Sequence, residues 1–264
     1  GSDSILLDKL VADGAVDKPK AASLGAFFAD ADTLNTAAKN TSAESKMAMD
    51  MNIKASVKLG TTKLLDMSMP MTIKADMNLK ELDKSVMAFG GKLNMTIDPS
   101  LANSGDTSIS QDINYYFTNG TYYMAQGKYK MAMSFDDVLN GMEISAMNSS
   151  VPVSAIESIT KGSGGMTVKY NMNSVFSSDL FDELLGGMLD GVSIKTRDMN
   201  VTAKAVNGML TDTAISGTVD ITAEGETISA TLNAAAKVTA TGDAVKITLP
   251  TDLSSYVDLP TEIN

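Results

Sequence analysis

Lys46-Met47-Ala48-Met49-Asp50-Met51-Asn52-Ile53-Lys54-Ala55-Ser56-Val57-Lys58 alternates strictly between two characters of side chain. Met47, Met49, Met51, Ile53, Ala55 and Val57 share one parity, and Ala48, Asp50, Asn52, Lys54, Ser56 and Lys58 share the other. Wound into a helix, this run would scatter its apolar groups around the cylinder; extended, it has one dry face and one wet face. After a turn at Gly60-Thr61-Thr62 the arrangement returns. Leu65, Met67, Met69, Met71, Ile73, Ala75, Met77 and Leu79 alternate with Asp66, Ser68, Pro70, Thr72, Lys74, Asp76, Asn78 and Lys80. Two long neighbouring strands follow. Pro70 removes a ladder donor, which predicts that its strand lies at a sheet edge or is bulged there.

The same period extends outward in both directions. Met87, Phe89, Gly91, Leu93, Met95 and Ile97 run in phase up to Asp98-Pro99-Ser100. Asn119-Gly120, between Tyr115-Tyr116-Phe117 and Tyr122-Tyr123-Met124, is a two-residue hairpin signal, because both turn positions need positive φ. The outgoing strand carries Tyr129, Met131, Met133 and Phe135. A helical insertion is expected next, with helices over Asp136 to Met147 and Val151 to Thr160, and a flexible loop at Gly162 to Gly165. A strand through Met166, Val168, Tyr170 and Met172 leads to a helix after Ser177-Ser178. That helix carries a stripe of Leu180, Phe181, Leu184, Leu185 and Met188.

A second meander reads Met199, Val201, Ala203 and Ala205 to Asn207-Gly208, then Val219, Ile221 and Ala223 to Gly225. It continues with Ile228, Ala230, Leu232, Ala234, Ala236, Val238 and Ala240 to Gly242-Asp243, and ends with a strand at Val245, Ile247 and Leu249. Ahead of the strands, Asp3 can cap a helix over Ser4 to Asp13. After Pro19 the apolar stripe Leu24, Phe27, Phe28, Ala31, Leu34 and Ala38 marks a core-facing helix. The expectation is one mainly β (α+β) domain over 1–264. It comprises N-terminal helices (1–40), a first meander (46–135), a helical insertion with one strand (136–190) and a second meander (192–250). A sheet of about ten such strands tends to curl or close.

Composition narrows the chemistry. The 264 residues include 21 Lys and Arg against 32 Asp and Glu, a net charge of −11, with no His, Cys or Trp. A Ser-His-Asp triad, a thiolate nucleophile, a His- or Cys-ligated metal and a disulfide are all excluded. One Arg, Arg197, in an acidic chain is a poor start for neutralising phosphates, so nucleic acid is not an expected partner. No apolar run is long enough for a spanning helix. Gly1 reads as a cloning scar that leaves room for a removed leader.

The unusual feature is Met, at 19 residues. Met is flexible and polarisable and suits surfaces that adapt to varied apolar partners. Met47, Met49, Met51, Ile53, Met67, Met69, Met71, Ile73, Met95, Tyr129, Met131 and Met133, with Leu184 and Met188 from the helical insertion, are the candidate ligand-binding set. A Met-lined wall facing the small Ala and Val side chains of the late strands leaves space that helices or a ligand must fill. Each acyl methylene buried there contributes about 0.8 kcal/mol. The same residues also read as a plain Met-filled core beneath helices. The acids Asp136, Asp137, Asp179, Asp182 and Glu183 fall at expected helix starts, where they offset the dipole. As a glycosidase pair or calcium site they lack a supporting motif. Tyr115, Tyr116, Tyr122 and Tyr123 read as cross-strand pairs beside the hairpin, with a carbohydrate platform as the lesser alternative. Asn40-Thr41-Ser42 and Asn119-Gly120-Thr121 are chance glycosylation matches. Nothing points to a catalytic residue, metal or cofactor, so the chain is expected not to be an enzyme.

An N-terminal helix, long alternating strands, the hairpin Tyr115-Tyr116-Phe117-Thr118-Asn119-Gly120-Thr121-Tyr122-Tyr123, helices inserted midway and the close at Val245-Lys246-Ile247-Thr248-Leu249-Pro250 together resemble bacterial lipoproteins of the LolA/LppX-like superfamily. The similarity is to the uncharacterised cell-envelope lipoproteins of Gram-positive Firmicutes in particular. It implies a strongly curved antiparallel half-barrel with helices on its concave face around an apolar cavity for acyl chains. It also implies an exported protein, tethered outside the cytoplasmic membrane through a lipidated Cys ahead of this sequence. The expected partner is a lipid acyl chain or other hydrophobic small molecule, bound by a monomer that meets the membrane only through its anchor. The rival expectation is a non-catalytic cell-surface interaction or adhesion module with a filled core.

Overall fold

Strand β1 (Lys46–Leu59) pairs antiparallel with β2 (Thr62–Asp76), setting Met51 opposite Met71 and Ile53 opposite Met69, as the alternation requires. The computed structural model describes residues 18–78, 80–102, 107–134, 155–173 and 192–258. Among the described residues one helix, α1 (Lys18–Ala43), precedes the strands. After β2 come β3 (Val86–Ile97), β4 (Ser108–Thr118), β5 (Thr121–Gln126) and β6 (Tyr129–Ser134). The second half supplies β7 (Ile156–Gly162), β8 (Gly165–Asn171), β9 (Val192–Val206), β10 (Met209–Ala223), β11 (Glu226–Thr241) and the short β12 (Val257–Asp258). The twelve described strands form one open sheet in the order β12-β6-β5-β4-β3-β2-β1-β11-β10-β9-β8-β7. The fold is mainly β. Within each meander neighbouring strands pair antiparallel, and the two meanders join where β1 pairs with β11.

Tight turns hold the register. Asn119 and Gly120 have φ of 50° and 69° between the paired Thr118 and Thr121, and Asn207 and Gly208 have 51° and 76°. Positive φ at both positions matches the right-handed twist of the flanking strands. Helix α1 lies against the β8–β10 end of the sheet. Leu34 (3 % exposed) and Ala37 (0 %) pack with Val168, Ala203 and Ala205. Its last turn is fastened to the β9–β10 hairpin, because Asn40 Nδ2 donates to the Gly208 carbonyl at 2.9 Å and the Leu210 N–H donates to Thr41 Oγ1 at 2.7 Å. Ala37, rather than the expected Ala38, is the fully buried position, continuing the three-residue spacing of Ala31 and Leu34.

Several expectations are corrected. The Pro70 strand is interior, between β1 and β3. Its ladder to β3 lapses at Met69 and Pro70 and resumes in register at Met71, so a missing donor is absorbed without a bulge. The single outgoing strand after Asn119-Gly120 is two strands, reversed at Gly127 (φ 57°) and Lys128. Residues 156–160, expected within a helix, form β7. The three-residue spacing of Ile156 and Ile159 imitates a helical face, but the glycines at 162, 164 and 165 close a tight hairpin onto β8. The segment expected as a flexible loop is therefore the turn of this hairpin, with Gly162 paired to Gly165. The expected strand at Val245, Ile247 and Leu249 does not form. Both neighbours of β11 are already taken, so the chain has no free edge beside it. It passes the width of six strands and pairs as β12 with β6, in parallel. A shift beside Ala48 turns Ala240 onto the Ala48 side, out of phase with Val238. The expected helices over 4–13, 136–147 and 177–188, and Phe135, lie outside the described residues.

Candidate functional site

Cross-strand partners share a face, so the ladder shows where each candidate residue stands. Met49 is opposite Ile73, Ile73 opposite Phe89, Phe89 opposite Tyr115, Tyr115 opposite Met124 and Met124 opposite Met131. A second row runs from Met51 through Met71, Gly91, Ile113 and Gln126 to Tyr129, and a third from Met47 through Ala75, Met87, Phe117 and Tyr122 to Met133. Ile53 faces Met69, and Met67 faces Met95. The candidates from Met47 to Met133 therefore occupy one continuous face. Leu184 and Met188 lie outside the described residues, as do Asp136, Asp137, Asp179, Asp182 and Glu183.

This face is only partly covered. Met71 is buried, most of the other Met side chains are half-buried, and Tyr129 and Met133 are exposed. Phe89 meets Tyr115 edge to face at 5.3 Å between ring centroids, and Phe117 meets Tyr122 at 4.6 Å. The row from Met51 continues through Ala236, Thr213 and Ala203 to Val168, so helix α1 sits on the same face, at its far end. Between helix and Met patch, large apolar groups remain open to solvent: Ile215 is 46 % exposed and Leu232 45 %. Near the turns, Leu59, Ile221, Ala223 and Ile228 line a hollow of about 490 Å³ with Glu224 and Glu226.

The opposite face is polar and carries a cavity of about 810 Å³. Residues of β4, β3, β2, β1, β11, β10 and β9 line it, among them Asp50, Thr72, Lys92, Asp112, Asp212 and Lys237. Arg197 stands on this face too, with Nε 2.7 Å from Asp220 Oδ2, and Ser229 also donates to Asp220. These two donors hold the Asp220 carboxyl below the usual carboxylate range, and Asp220 in turn raises the Arg197 pKa. At the β5–β6 end the crossing C-terminal segment packs on the polar face. Tyr256 meets Tyr123 at 5.5 Å, and Lys130 forms an ion pair with Asp252. That hydrogen bond raises the Lys130 pKa and lowers that of Asp252. Burial pushes the Tyr256 phenol up. Ala48 and Ala132, which have the parity of the wet side, are nonetheless buried.

Among the described residues, no group of three or more acidic side chains is placed to hold a metal, and no helix is long and apolar enough to cross a membrane. Periodicity alone could not reveal the polar-face cavity, because alternation marks that side only as wet. The signal available in sequence was the sign pattern of its charges, and its meaning depends on which strands become neighbours. No protein-family model matches this sequence, and no curated protein matches it.

Proposed function

We propose that this protein is a non-catalytic binder of a lipid or other hydrophobic molecule, held on the methionine-rich face of the sheet. One observation carries the reading: the predicted Met, Ile and Tyr positions from Met47 to Met133 are contiguous on a face whose apolar groups remain partly open. Thioether side chains can re-pack around acyl chains of different shape. A chain of a dozen carbons laid on that face would bury enough methylenes to contribute several kcal/mol with no polar recognition.

An exported, lipid-anchored protein of the LolA/LppX-like kind is part of the proposal, as is a half-barrel form of the sheet. The polar-face cavity supports a bend toward the polar side, which would set α1 on the outer surface. The lipid site is therefore proposed on the exposed apolar face itself and not within an enclosed bowl. Native mass spectrometry after gentle purification is expected to show co-purifying lipid. A fluorescent fatty acid should bind saturably and lose at least tenfold in affinity in an Ile215→Asp, Leu232→Asp double variant. Folded protein that carries no lipid and does not bind the probe would refute the proposal.

A further inference from the structure

The lipid reading leaves the opposite face unused. We infer that this face binds a small zwitterion of the short-peptide class, with a free ammonium held at Asp50 and a free carboxylate at Lys92. The cavity, about 810 Å³, is within the ordinary range of small-molecule sites. Among the described residues its charged lining is balanced: Lys92, Lys204 and Lys237 against Asp50, Asp112 and Asp212. A balanced lining offers nothing to a polyanion and suits a ligand that carries both signs.

The charges in the cavity are also available. Lys237 stands directly across from Asp212 on one side and Asp50 on the other, and Lys92 stands directly across from Asp112. Yet among the described residues none of these five makes an ion pair with another. Elsewhere on the same face opposite charges do close on one another, as in Lys46 with Asp76 at 3.5 Å and Arg197 with Asp220 at 2.7 Å. The floor between Asp50 and Lys92 is low, because it is built of Thr72, Pro70 and Gly90. Thr72 Oγ1 donates to Asp50 Oδ1 at 2.9 Å and orients that carboxylate. Two strand spacings across and two residues along separate the Asp50 and Lys92 backbones by roughly 12 Å. An extended tripeptide spans about 10 Å, and the flexible Lys stem covers the difference. Among the described residues no aromatic ring lines the cavity, so they offer no stacking floor of the kind usual for a sugar ring.

Calorimetric titration with tri-alanine tests this, using the free peptide, its N-acetyl form and its C-terminal amide. The free peptide should bind saturably, and blocking either end should weaken it about tenfold, the worth of one charge-assisted hydrogen bond. Lys92→Met should abolish the penalty of amidation and keep that of acetylation. Asp50→Asn should do the reverse. Both variants should retain the circular dichroism and fatty-acid binding of the parent, which separates this site from the lipid face. Equal affinity for all three peptides, no heat at ~10 mM peptide, or variants that lose both end preferences together would each overturn the inference.

Discussion

Removing the side chain that docks helix α1 gives the sharpest test of the packing. Leu34 is 3 % exposed and sits with Ala37 against Val168, Ala203 and Ala205, so Leu34→Ala vacates almost a full side chain of space. Transfer of the lost carbons alone accounts for about 2.4 kcal/mol, and the cavity left behind raises the cost to about 3–4 kcal/mol. Around this chain length each kcal/mol shifts Tm by about 2–4 °C, so a fall near 10 °C is expected. Urea unfolding followed by circular dichroism measures the loss, with hydrogen exchange locating it in β8, β9 and β10. Leu101→Ala, at a side chain 53 % exposed, serves as the control and should stay within ~0.5 kcal/mol of the parent. Because α1 covers part of the apolar face, loosening it should leave fatty-acid binding intact or strengthen it. A Leu34→Ala protein within ~1 kcal/mol of the parent, with unchanged exchange in those strands, would refute the docking argument.

Three further outcomes follow from the same geometry. Gly120→Ala, at φ 69°, should cost about 1–2 kcal/mol in denaturant midpoint, since an L side chain is strained in the left-handed region; an unchanged midpoint would contradict the turn assignment. Gly165→Ala should cost more than Gly120→Ala, because a Cβ there would collide with the Ala205 carbonyl on the neighbouring strand, and faster exchange in β8 would report it. Asp220 has a folded pKa below its unfolded value, so its stabilisation is complete above the ordinary carboxylate range and disappears as pH falls through the folded value. Asp220→Asn should therefore flatten the acid limb of the stability–pH curve below about pH 4, and an acid limb as steep as the parent's would discount the Arg197 pairing.

Local chemistry made much of this fold legible. The parity of Met47 to Val57 and Leu65 to Ala75 assigns strands and faces without reference to any partner, because only an extended chain keeps such residues on one side. Asn119-Gly120 and Asn207-Gly208 specify their reversals through backbone sterics alone. Where the reading failed, a competing local pattern or a distant neighbour was responsible. Ile156 and Ile159 carry a helical spacing but lie in a hairpin, and the Pro70 strand is interior because β3 tolerates a lapse in its ladder. The alternation of Val245, Ile247 and Leu249 is as good as that of many strands, yet no free edge adjoins β11.

The amino-acid sequence by itself thus determined that the chain is built of long strands with one apolar and one polar side, and which residues belong to each side. Tertiary structure alone decided that β1 lies beside β11, that α1 packs at the β8–β10 end of the apolar face, and that Asp50, Lys92, Asp112, Asp212 and Lys237 line one cavity on the polar side. The reason is physical: side-chain alternation is set by the geometry of each residue's own backbone, whereas strand order and cavities depend on pairing between segments far apart in the chain.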